Sequence, residues 1–181
     1  MGHSRVVWFV VWACITSGCA HRPSNVDLGL RPEVQRRVDL LAQQSVITFE
    51  HELGSPPSAE YAAFDAVRDA AKMREYAALT RHGSPIVRAY VGVDIARRWP
   101  VYYAHLRPLF SDETDVMTRA ACTGGLLPVA YLVTEALCGA SHPRATAVLR
   151  DIAQGRGSGA PIARECLVRR EQDELESLRG E

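Results

Sequence analysis

Residues 106–137 read LRPLFSDETDVMTRAACTGGLLPVAYLVTEAL. Leu106 and Leu109 share one face of a helix end, and Pro108 removes the bond to the carbonyl of Ala104, so the helix should bend or tighten there. Residues 111–114 form a polar turn, and 116–122 continue as helix. Gly124-Gly125 stops that helix, and Pro128 opens the next, residues 129–137. If the two helices of this unit run antiparallel, Cys122 sits at the glycine turn and Cys138 at the far end. At 1.5 Å per residue such ends are about 15 Å apart, beyond the reach of a disulfide.

The flanking sequence repeats the pattern. Val87, Val116 and Ala145 are spaced 29 residues apart, and each should lie one turn into a helix that follows a polar turn. Self-similarity at this period points to stacked helical hairpins, each too small to bury its apolar face alone. Leu106, Pro108, Leu109, Phe110, Asp112, Val116 and Ala120 carry the middle unit. In the unit before it, Ser84-Pro85-Ile86-Val87-Arg88-Ala89 resembles the Pro-x-Val-Arg-x-Ala opening of a HEAT repeat. The third unit, from His142 to Leu149, has Ala145 in place of valine, and the middle one has Met117 where arginine is usual. The resemblance covers roughly residues 58–165. It implies an all-α fold, a short HEAT-like α-solenoid of stacked antiparallel helical hairpins. It carries little about function, because HEAT-like arrays share no catalytic residues and mostly bind other macromolecules.

Outside the repeat, Pro32 opens a helix whose apolar positions Val34, Val38 and Leu41 run on to about Leu53. The β-branched residues 45–49, SVITF, allow a short strand as the alternative. Gly54-Ser55-Pro56-Pro57 ends the segment, and Ser58 caps an alanine-rich stretch that can break near residues 72–74. Ser84 caps and Pro85 opens a helix reaching about Arg98, whose broad apolar arc requires neighbours on more than one side. Asp94 and Arg98, four apart, read as a surface pair. The charged run from Arg169 onward reads as a solvated terminal helix.

The cellular address lies in the first residues. One arginine, Arg5, precedes an apolar stretch, residues 6–15, of signal-peptide length and too short for a stable membrane span. Thr16-Ser17-Gly18-Cys19 then resembles a bacterial lipobox, with Thr16 where leucine is usual. The resemblance implies removal of residues 1–18 and a lipid anchor on Cys19. Ala20, not aspartate, follows the cysteine, which points to the outer membrane, facing the periplasm. The chain then divides into a signal peptide (1–18), a tether (19–31), an N-terminal helix with a Pro-rich turn (32–57) and the repeat domain (58–181). Cys122, Cys138 and Cys166 remain after processing, an odd number for an oxidising compartment.

With 21 basic and 21 acidic residues, the chain has no positive surplus to neutralise phosphates, and nucleic acid is not an expected partner. His51-Glu52 lacks the second histidine of a zinc-protease motif, since position 55 is Ser55. No cofactor or metal site is expected. Cys122 or Cys138 beside His82, His105 or His142 would suit a nucleophile, but a buried apolar cysteine is the commoner arrangement. Thr123-Gly124-Gly125 could hold an anion at the following helix N-terminus, or simply form a tight turn. Arg97, Arg98, Trp99, Tyr102 and Tyr103 cluster on an inter-helix turn, and Trp, Tyr and Arg dominate binding hot spots. The expectation is a protein-binding or scaffolding module on the membrane. Two other classes are a hydrolase-like enzyme with its site assembled across repeats, and a toxin-immunity or inhibitor protein.

Overall fold

A computed structural model describes residues 27–48, 57–120 and 123–179. Cys19, the signal-like segment, His51-Glu52 and Cys122 lie outside the described residues. The chain begins with α1 (Pro32–Ala42), β1 (Val46–Ile47), α2 (Ala59–Ala70) and α3 (Met73–Ala78), then a 3-10 turn (Leu79–Arg81) and α4 (Pro85–Arg98). A 3-10 helix (Pro100–Ser111), β2 (Asp115–Ala120), β3 (Thr123–Pro128), α5 (Val129–Cys138), α6 (Pro143–Ala153) and α7 (Gly159–Arg179) follow. The protein is mostly helical.

Local sequence explains most helix starts. Pro32, Pro85 and Pro143 occupy first-turn positions of their helices, where a missing N–H breaks no bond. Ser58 caps α2 by accepting the Tyr61 N–H at 3.1 Å. Ser84 makes no such cap; instead its own N–H donates to His82 Nδ1 at 3.0 Å. With proline at both Pro100 and Pro108, residues 100–111 tighten into 3-10 geometry.

The core surrounds α4. Ile86, Val87 and every residue from Ala89 to Ala96 are buried. The Phe64 ring of α2 stacks on Tyr90 at 4.8 Å, and the Tyr90 hydroxyl accepts the Thr48 N–H at 2.9 Å, tying β1 to α4. The broad apolar arc of α4 is satisfied by neighbours all round.

Two expectations fail in the segment that joins the halves. α1 stops at Ala42, and Val46–Ile47 form a strand, not a continuation of the helix to Leu53. Residues 115–120 and 123–128 are an antiparallel hairpin, not helices: Val116 faces Leu127, Met117 faces Leu126, and β1 pairs in parallel on the other side of β2, Val46 facing Met117. Of the three positions spaced at 29 residues, Val87 and Ala145 lie in helices and Val116 in a strand. Alternation decides it: Val116 is buried, whereas Met117 stays exposed. Gly124 lets the strands close, because a Cβ there would lie 2.7 Å from the Thr118 carbonyl oxygen.

Three clasps hold the elements together. Arg31 grips Glu75 through its N–H at 2.8 Å and its Nε at 3.0 Å. Arg88 pairs with Asp112 at 2.7 Å, joining α4 to the turn after the 3-10 helix. Cys138 and Cys166 form a disulfide between α5 and α7, so Cys138 is not the free apolar cysteine expected.

Candidate functional site

The turn between α4 and the 3-10 helix carries the residues singled out by their types. Its organiser is Asp94, one turn before the end of α4 and only 5% exposed. Its Oδ2 accepts the Tyr76 hydroxyl at 3.0 Å and the Trp99 Nε1–H at 3.3 Å. Its Oδ1 lies 3.2 Å from Arg98 Nε. The expected pair with Arg98 is formed, but its Asp94 half is buried and accepts from Tyr76 and Trp99 as well. Burial, and after it the Asp94 charge, push the Tyr76 phenol well above its usual range, so it stays a donor to the carboxylate.

Trp99 ends α4 with non-helical backbone, its N–H still bonded to the Ile95 carbonyl at 3.0 Å. Its carbonyl accepts the Tyr102 N–H at 2.9 Å, which starts the next element. The indole N–H is pinned by Asp94, yet 37% of the residue remains exposed. Val101 beside it is 68% exposed. Arg97 and Arg98 are exposed, and Tyr102 is half-buried with its ring centroid 5.9 Å from that of His105. Tyr103 turns inward: it is buried, and its hydroxyl donates to the Ala96 carbonyl at 2.9 Å. Burial raises its phenol pKa. Four of the five residues thus share a solvent-facing turn, and the fifth fastens that turn to α4 and lines a cleft.

Other candidates fall elsewhere. His82 Nδ1 accepts the Ser84 N–H in the turn before α4, and His142 Nδ1 caps α6 by accepting the Arg144 N–H at 3.1 Å. Burial lowers the His82 pKa, which keeps it a neutral acceptor. Cys138 is in its disulfide. Thr123-Gly124-Gly125 is extended strand, not a turn at a helix N-terminus. Among the described residues, no three or more His, Cys, Asp or Glu side chains group to hold a metal ion, and no helix is long and apolar enough to cross a membrane.

Residue types alone missed Asp94, Tyr76 and Val101. The first had a signal: a carboxylate four residues before Arg98 and five before Trp99 can meet both where the helix ends. Tyr76 comes from another helix and had none. Comparison with protein-family models, curated proteins and solved structures finds no match for this chain.

Proposed function

We propose that this chain is a lipid-anchored protein of the bacterial envelope that binds a protein partner through the turn at residues 97–102. The observation that carries the surface is the state of Trp99, fixed in orientation by Asp94 and exposed over a third of its area. An aromatic anchor already held in place loses little rotamer entropy on binding, and flanking arginines supply directional donors. Val101 extends the apolar contact. The address rests on Thr16-Ser17-Gly18-Cys19 after an apolar stretch, and the Cys138–Cys166 bridge supports an oxidising compartment. The HEAT-like reading of the architecture is a proposal for the units opened by Pro85 and Pro143, where Val87 and Ala145 lie one turn into a helix.

The test has two arms. Intact-mass analysis of the purified chain should find acyl groups, and Cys19→Ser should release it from membranes; an unlipidated wild type with the mutant still membrane-bound removes the anchor. Immobilised chain should retain a specific protein from envelope extracts, with Trp99→Ala weakening retention by on the order of tenfold. Equal retention by Trp99→Ala and Tyr102→Ala removes the surface.

A further inference from the structure

Residues of the 3-10 helix, α6, the loop after α6 and the start of α7 line one space, Tyr103 among them. The space left is a cleft of about 560 Å³, within the range of small-molecule sites. Tyr103, Phe110, Val148, Ile152 and Ala160 supply its apolar lining. Arg107 comes from the 3-10 helix, Arg156 from the loop after α6, and Asp151 from α6. All three are exposed. Among the described residues neither guanidinium has a hydrogen bond or ion pair.

One contact ties the Arg156 loop to the segment after the 3-10 helix. Glu113, just beyond the 3-10 helix, accepts the Ser158 N–H at 2.8 Å. Gly157 is required for that approach, since a Cβ there would lie 2.6 Å from Glu113 Oε1. The cleft thus combines an apolar lining with two guanidiniums and the Asp151 carboxylate, and the Glu113 carboxylate beside it is engaged by the Ser158 N–H.

We propose that this cleft binds a small amphipathic anion, an alkyl or aryl body carrying a single carboxylate or phosphate head. The body would displace water from the half-buried Phe110 and Val148 surfaces, with Tyr103 and Ile152 behind them. The head would take the guanidinium donors of Arg107 and Arg156, whose planar forks suit either group. Two lining guanidiniums against one lining carboxylate, with Glu113 already engaged by the Ser158 N–H, favour an anionic head over a cation. This proposal rests on different residues from the protein-binding turn at 97–102.

The experiment titrates the full chain, held in zwitterionic nanodiscs, with phenylbutyrate and phenylbutyl phosphate. It follows the methyl resonances of Val148 and Ile152 by NMR. Phenylbutanol and phenylbutylamine test the charge requirement. Saturable one-to-one shifts with at least one anion are expected, with the alcohol about tenfold weaker and the amine weaker still. The stronger of the two anions identifies the head group. Arg107→Gln with Arg156→Gln should weaken the anion about tenfold and leave the unfolding midpoint unchanged, because both side chains are exposed and unpaired. Val148→Asp should remove binding. Absence of saturable shifts with both anions, an alcohol that binds as tightly as the anions, or a double variant that binds undiminished would each overturn the assignment.

Discussion

Glu75 gives this fold its clearest dependence on pH. The Arg31 guanidinium, and behind it the backbone N–H groups of Arg31 and Lys72, hold its carboxyl at about 2 against the opposing effect of burial. An unfolded carboxyl takes up its proton near the ordinary value of 4.5. Between those values the unfolded chain gains a proton that the folded chain refuses. The contribution is therefore complete above pH 4.5 and drains away as pH falls toward 2. Urea unfolding midpoints should fall across that window, and Glu75→Gln should be less stable at neutral pH yet lose less on acidification. A wild type and variant with parallel acid profiles would refute the role of this carboxylate. Asp94 shows the limit of reading such residues by spacing. The four-residue interval to Arg98 located the pair correctly, but burial of Asp94 comes from Tyr76 and Trp99, and only the fold brings Tyr76 there. Tyr103 has the opposite history: its type matched its neighbours on the turn, while the tightened 3-10 backbone turns it inward.

At the scale of elements, the end of α5 depends on α7. The last carbonyls of a helix have no partner within it. Here Arg170 donates to the carbonyls of Leu137, Cys138 and Ala140, and to Thr146 Oγ1. One turn earlier on α7, Cys166 is bonded to Cys138. The disulfide closes a loop of 28 residues, which stabilises by ~3–4 kcal/mol if the entropic account holds. Arg170→Met strands several acceptors and should lose ~1–3 kcal/mol. Denaturant unfolding with and without reductant measures both, and the two losses should combine to less than their sum, because they act on one junction. Helix starts were readable because proline and serine act locally. The β2–β3 hairpin was not. Its Thr-Arg-Ala-Ala run suits a helix, and strand pairing is rewarded only when β1, far upstream in sequence, lies alongside Met117 and Thr118. The 45–49 stretch had the composition of a strand, but its partner was hidden inside an expected helix.

Across the whole molecule, a neutral, mostly helical body built around α4 carries two differently shaped features. One is a turn with an exposed indole held by Asp94; the other is an apolar cleft with two guanidiniums that have no ion pair among the described residues. The length of apolar sequence before Cys19 and the disulfide between α5 and α7 both suit a chain displayed outside the cytoplasm. The proposed partner would meet the Trp99 turn. Val101 is the position to probe, being the most exposed residue beside Trp99 and outside every hydrogen bond described above. A photo-crosslinking amino acid placed at Val101 of the full chain, irradiated in intact cells, should give one discrete protein adduct, its yield reduced on the order of tenfold by Trp99→Ala. No discrete adduct, or an adduct formed equally well without the Trp99 indole, would contradict the account.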